Sequence, residues 1–264
     1  MTVVFGILNV TPDSFSDGGQ FLDLDAAVEH GLALVDDGAD FIDVGGESTR
    51  PGAERVAEDD EHERVISVVE ALVANGVAVS VDTMRASTAR LAMEAGASVI
   101  NDVSGGLADP DMHPLIASSD VDYVAMHWRG LDHAVPQYDD VVRDVRDELK
   151  MRIAELIIHG VDESRIIVDP GIGFAKNADE NWQLLGHLDD LATLDSRVLV
   201  GVSRKRFLSE FAPDGAPATD RDPATATISA LAAQAGAWGV RVHDVASTRS
   251  ALNVWDSWQR GASS

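Results

Sequence analysis

Short β-branched runs alternate with helix-like segments along all 264 residues, and this alternation restricts the fold more than any other feature of the sequence. Strands are expected at 3–9, 40–45, 77–82, 98–103, 122–127, 165–169, 197–202 and 238–243. Segments with helical periodicity lie between them, including 26–37, 61–75, 87–95, 139–159 and 224–235. Gly38, Gly76, Gly96, Gly160 and Gly236 stand just past helical stretches, where a glycine takes the left-handed conformation at little cost. Asp37-Gly38-Ala39-Asp40, Glu94-Ala95-Gly96-Ala97-Ser98 and Gln234-Ala235-Gly236-Ala237-Trp238 repeat one helix-to-strand exit. Eight strand–helix units of this length predict an α/β fold, a single-domain (β/α)₈ barrel of the TIM type over 1–264. An open doubly wound sheet is the alternative. No linker or low-complexity stretch divides the chain.

Asn9, Asp43, Asp82, Asn101, His127, Asp169, Ser203 and His243 each fall at or just beyond the C-terminal end of an expected strand. Barrel enzymes build their sites at that face, from several strands at once. Any one of these residues alone would pass for a cap or a turn; eight in phase point to a site.

The formal net charge is −25, and Lys150, Lys176 and Lys205 are the only lysines. Such a surface repels itself, and concentrated salt relieves the repulsion by shortening the Debye length to about 3 Å at 1 M. With lysine depleted, the composition predicts a halophilic protein. It also argues against nucleic-acid binding, which relies on neutralising phosphates. Cysteine is absent, which excludes disulfides, thiolate nucleophiles and zinc–sulfur sites. No basic n-region and no apolar run of about 20 residues appears, so a soluble cytoplasmic protein is expected, with no membrane partner.

The segment Gly6-Ile7-Leu8-Asn9-Val10-Thr11-Pro12-Asp13-Ser14-Phe15-Ser16-Asp17-Gly18-Gly19 ends an apolar run in a long, specific turn-rich stretch. Asp43-Val44-Gly45-Gly46-Glu47-Ser48-Thr49-Arg50-Pro51-Gly52 follows. Then come Ser80-Val81-Asp82-Thr83, residues 99–106 with Asn101, Asp169-Pro170-Gly171-Ile172-Gly173-Phe174, and Ser203-Arg204-Lys205 with Arg241-Val242-His243-Asp244. In order and spacing, over about residues 3–252, these blocks resemble the dihydropteroate synthase family of pterin-binding enzymes. That family joins a pterin methyl diphosphate to 4-aminobenzoate on the route to folate.

The resemblance implies a division of labour. Asp82, Asn101 and Asp169 would meet the pterin, whose edges carry both donors and acceptors. Asp169, before Pro and Gly, also suits a turn role. Lys205 would reach the pterin carbonyl and ring nitrogen, with Phe174 beside it; a lysine kept in a chain that has shed most of them argues for a specific contact. Lys176 is either a weaker candidate of the same kind or an exposed loop cation. Arg241 and His243, two residues apart on strand eight, point to one side and would hold the diphosphate. Asn9 resembles the family's Mg²⁺ ligand, and a single amide oxygen suits an ion that retains water and takes phosphate oxygens. Thr49 and Arg50, with Phe15 and Asp17, lie on loops expected to close over the site.

Mg²⁺, Arg241, His243 and Arg50 would then stabilise charge on the departing diphosphate. Asp82, Asp169 and Asp17 would oppose positive charge at the pterin methylene. The family also implies a homodimer. Three departures stand out: Arg206 where serine is usual, Trp128 after His127, and Ala175 where glycine is common. Trp128 and Ala175 read as packing changes. Arg206 either pairs with the arylamine carboxylate or is surface charge paired with Glu210. A methyltransferase-type pterin domain and a non-catalytic pterin binder are the rival classes.

Overall fold

The computed structural model describes residues 1–10, 20–47, 56–130 and 138–262. Eight parallel strands run β1 Val3–Asn9, β2 Phe41–Gly45, β3 Val79–Asp82, β4 Val99–Asp102, β5 Asp122–Met126, β6 Ile166–Asp169, β7 Arg197–Val200 and β8 Gly239–Val242. Each pairs with its sequence neighbours, and β8 pairs back onto β1 through Val3↔Gly239 to Gly6↔Val242. The barrel is closed, and the open-sheet alternative falls away. Helices follow the strands: α1 Gln20–Asp36, α2 Glu58–Ala74, α3 Ala86–Glu94, α4 Met112–Ala117, α5 Val141–His159, α6 Ala178–Gly186, α7 Asp222–Gln234 and α8 Val245–Ala262.

Strand side chains alternate between the outer helix layer and the barrel interior. Val4, Leu8, Ile42, Val44, Val81, Ile100, Val168 and Val240 join the outer core with the helices. Phe5, Val99, Val124, Ile167 and Leu199 pack inside, with Phe41 and Trp238 against them. Phe5 stacks on Phe41 with ring centroids 4.8 Å apart and meets Trp238 edge-on at 5.9 Å. This apolar plug closes the interior beneath the polar strand ends, so the site sits on a packed floor.

The helices form for local reasons. In α5, Asp140 caps the first turn by accepting from the Arg143 N–H at 3.1 Å, and Val141, Val145, Leu149, Ile153 and Leu156 form its buried stripe. Removing one such side chain, as in Leu156→Ala, costs about 2–5 kcal/mol. Four acids, Glu58 to Glu61, open α2 at the positive end of its dipole. The glycines expected past α1, α2, α3, α5 and α7 all have positive φ, from +76° at Gly76 to +104° at Gly38.

Candidate active site

A buried ion cluster occupies the mouth of the barrel. Arg241 on β8 donates through Nε to Asp43 Oδ2 (2.5 Å) and through Nη2 to Asp82 Oδ2 (2.7 Å), reaching past β1 to β2 and β3. Asp43, fully buried, also accepts from Ser80 Oγ (2.5 Å) and Asn101 Nδ2 (3.2 Å). Register explains the grouping: Asp43 lies beside Ser80, and Asp82 beside both Gly45 and Asn101. Burial pushes the Asp82 carboxyl up to about 7; Arg241 opposes this, while Asp43, Asp102 and Glu61 add to it. Burial also works against charge on Arg241, but Asp43 and Asp82 outweigh it and keep the guanidinium protonated.

Asp169 and Lys205 form the second half of the site. Asp169 Oδ1 accepts from the Gly171 N–H at 2.7 Å, so the turn role is real, and Oδ2 makes no hydrogen bond among the described residues. Burial raises its pKa, with Lys205 and the Gly171 hydrogen bond opposing. Lys205 donates to the Ile172 carbonyl, and its Nζ lies 4.6 Å from the centre of the Phe174 ring. Burial brings its pKa down to about 8, against the pull of Asp169. Met84, Val103 and Met126, with Trp128 and Phe174 against them, make an apolar cluster, so the packing role expected of Trp128 holds.

His243 stands just past β8, with Nδ1 2.8 Å from Ser203 Oγ and its backbone N–H donating to the same oxygen at 3.1 Å. Arg241 and His243 therefore have different partners: Arg241 belongs to the carboxylate cluster, and His243 to the β7 loop. Asn9, half-buried, ends β1; its Oδ1 lies 3.9 Å from where a Cβ on Gly45 would stand. Phe15, Asp17, Thr49 and Arg50 lie outside the described residues. Arg206 is exposed, and its guanidinium makes no ion pair or hydrogen bond among the described residues. It opens a 3₁₀ helix, Arg206–Phe211, whose tighter winding breaks the four-residue alignment with Glu210, and Glu210 instead accepts from Trp182 Nε1 at 3.0 Å.

Two sequence expectations are corrected. Ala175 is more than a packing change: its φ is +49°, a conformation in which the missing glycine would be unstrained. Lys176 is not an exposed loop cation, since only 9% of it is accessible. Asp43 was visible as a polar strand end, but nothing in the sequence shows that it anchors Arg241. Arg85 also lay unmarked. It donates to Glu47 (3.1 Å), to the Val56 carbonyl (2.8 Å) and to buried Glu61, which in turn accepts from Thr83 Oγ1 at 2.8 Å.

A family model described as "Pterin binding enzyme" matches residues 5–243. The chain is 51% identical over 263 residues to a dihydropteroate synthase of Mycobacterium leprae, covering 97% of this chain and 93% of the relative. A solved dihydropteroate synthase of Xanthomonas albilineans with 4-aminobenzoic acid superposes with a TM-score of 0.92 at 46% identity, covering 98% of this chain and 93% of that one. The same organism's enzyme in complex with 7,8-dihydropteroate gives a TM-score of 0.89 at 43% identity, covering 98% and 94%. These likenesses decide for a synthase over a methyltransferase-type domain. With the closed barrel and the carboxylate–arginine–lysine set at its mouth, they establish that the chain belongs to the dihydropteroate synthase family of pterin-binding enzymes.

Proposed function

We propose that the barrel mouth joins the methylene of a dihydropterin methyl diphosphate to the nitrogen of 4-aminobenzoate, with Asp82, Asn101, Asp169 and Lys205 holding the pterin. The observation that carries this reading is the placement of acceptors and donors around one apolar-walled mouth. Asp169 Oδ2 and Asp82 accept from pterin N–H groups, while Lys205 Nζ donates to the ring's acceptors. Asn101, which donates one amide N–H to Asp43, offers its oxygen and a second N–H.

In the reaction the C–O bond breaks with its electron pair leaving on the diphosphate, the amine nitrogen forms the C–N bond, and the nitrogen loses a proton. Positive charge on the methylene delocalises into the pterin, where Asp82 and Asp169 stabilise it. Arg241 keeps Nη1 beyond its two carboxylate bonds and, with His243, faces the leaving group. Arg50, Thr49 and Asp17 join by family resemblance. The Asn9 amide oxygen suits Mg²⁺ chemically, and among the described residues no group of three or more acids, histidines or cysteines forms a competing metal site. When bound there, the ion supplies charge to the diphosphate oxygens. No covalent intermediate on the protein is needed.

Calorimetry separates the two roles. Lys205→Met and Asp169→Asn should weaken a dihydropterin and its methyl diphosphate alike, whereas His243→Ala should weaken only the diphosphate. An equal loss for both ligands in His243→Ala would remove His243 from the diphosphate.

Three further properties belong to the same reading. Among the described residues no helix is long and apolar enough to cross a membrane, in keeping with a cytoplasmic enzyme. Leu231 on α7 and Val254 and Trp258 on α8 are exposed, which supports a homodimer through that side; light scattering at the mass of one chain would oppose it. The charge of −25 supports halophily.

A further inference from the structure

Lys176 takes no part in the chemistry above, yet it is nearly as inaccessible as the barrel core. Its Nζ lies 3.0 Å from the Gly171 carbonyl, 3.2 Å from the Phe174 carbonyl and 3.1 Å from His127 Nδ1. Burial brings the Lys176 pKa down to about 7, with Asp169 opposing, but the three acceptors suit the ammonium, which has three N–H groups and no lone pair, whereas a neutral amine would leave one acceptor unpaired.

The third acceptor requires one tautomer of His127, and the surroundings select it. Burial lowers the His127 pKa to about 4, with the Glu148 hydrogen bond opposing, so the ring is neutral. Its Nε2 lies 2.9 Å from Glu148 Oε2. Burial works to raise the Glu148 carboxyl, but hydrogen bonds from His127 and Arg129 outweigh it and hold it well below its usual range. An ionised carboxylate only accepts, so Nε2 carries the hydrogen and Nδ1 presents its lone pair to Lys176. Tyr138 lies over the Arg129 guanidinium at 3.9 Å, closing the far side of the group.

What Lys176 ties down is an expensive turn. Gly171, Gly173 and Ala175 have φ of +67°, +80° and +49°, three left-handed residues within five. That turn supplies the Gly171 N–H to Asp169, and the Ile172 carbonyl and the Phe174 ring to Lys205. It also lies tightly over the Lys205 stem, since a Cβ on Gly173 would stand 2.6 Å from Lys205 Cδ.

We propose that Lys176 is a positioning residue of the pterin subsite: its ammonium pins the Gly171–Phe174 turn to His127 just past the C-terminal end of β5, and so sets the geometry of both Asp169 and Lys205. This rests on the reading that the pterin lies against those two residues. Its chemistry is a three-way hydrogen bond, so a charge on a planar fork does not replace it.

The test compares Lys176→Met and Lys176→Arg with the wild-type chain, using a 6-hydroxymethyl dihydropterin in calorimetry and both substrates in steady-state kinetics. Both variants should raise the pterin Kd by roughly tenfold or more, because a loosened turn weakens the charge-assisted contacts of Asp169 and Lys205 together. The KM for 4-aminobenzoate should change by less than about twofold. A purely structural lysine would lower Tm and move both substrates together, and a purely electrostatic one would be rescued by Arg; either result overturns the proposal. Should the variants fail to fold, ¹⁵N labelling of lysine still decides. At pH 5, below the lowered pKa of Lys176, the lysines left in Lys205→Met are exposed Lys150 and buried Lys176, and one slowly exchanging ammonium signal should persist. Its absence overturns the proposal. A wild-type chain that binds no pterin would instead overturn the functional reading on which the proposal rests.

Discussion

Replacing Arg241 with methionine removes a cation shared by Asp43 and Asp82 and should make stability far more sensitive to alkali. In the wild-type chain the Asp82 carboxyl sits near 7, above its value of 3.8 in an unfolded chain. Between those two values the folded state binds the proton more tightly, so stability falls as pH rises through this window. Arg241, 2.7 Å away, limits that fall by favouring the carboxylate. An arginine neighbour typically lowers a carboxyl pKa by about 1–3 units, so in Arg241→Met the folded Asp82 should titrate at roughly 8–10. At pH 5 Asp82 is protonated in both folded proteins and contributes nothing to their difference. At pH 9 the wild-type carboxylate is paired, while the variant must either keep the proton or bury an unpaired charge. The gap between the two proteins should therefore be about 1–3 kcal/mol larger at pH 9 than at pH 5, each pKa unit being worth about 1.4 kcal/mol. An unfolding entropy of about 2.1 cal/mol/K per residue over 264 residues turns this into roughly 2–5 °C of Tm. The assay is calorimetric melting of both proteins at pH 5 and pH 9 in one high-salt buffer. A gap that is constant with pH, or larger at pH 5, would refute the pairing of Asp82 with Arg241.

Three other outcomes follow from the same structure. Ala175→Gly should raise stability by about 0.5–1 kcal/mol in urea melts, since relief of about 1–2 kcal/mol of left-handed strain exceeds the extra freedom glycine gives the unfolded chain, about 0.4–1 kcal/mol; a loss of stability would mean that the φ of +49° at this residue carries no strain. Melting in about 0.1 M and about 2 M KCl should differ widely, because screening relieves the repulsion of 25 net negative charges, and equal values would end the halophilic reading. Arg206→Ser should raise the KM for 4-aminobenzoate several-fold and affect neutral aniline analogues less, since its exposed guanidinium has no partner among the described residues; an unchanged KM would leave Arg206 as surface charge.

The barrel was legible because strand and helix carry different periodicities and because the helix exits repeat a glycine whose backbone needs a positive φ. The strand ends were legible as well, since Asn9, Asp82, Asn101, Asp169 and His243 interrupt apolar runs in phase. Some helices were not singled out. α4 has only six residues, including Pro114, and α8, though eighteen residues long, buries a stripe of only Val245, Thr248 and Leu252. Pairing was hidden for a different reason. Arg241 and His243 alternate onto one side in the sequence, which suggests a common ligand, but the guanidinium reaches past β1 to Asp43 while the imidazole, just past β8, meets Ser203. Lys176 was ambiguous because a lysine after Gly-Phe-Ala reads as loop. Its ammonium is held by His127, just past β5, which Glu148 on α5 orients in turn, and no local pattern connects either to it.

The central claim is that this barrel mouth couples loss of diphosphate from the pterin to bond formation with the arylamine. Its most direct test is stoichiometric: a coupled diphosphate-release assay in high salt, with dihydropteroate followed in parallel by chromatography. Diphosphate and dihydropteroate should appear in equal amounts when both substrates are present, with no product in Asp169→Asn or Lys205→Met at substrate levels that saturate the wild type. Tight binding of pterin diphosphate by the wild-type chain without release of diphosphate in the presence of 4-aminobenzoate would contradict the claim, and would make the chain a pterin binder with no synthase chemistry.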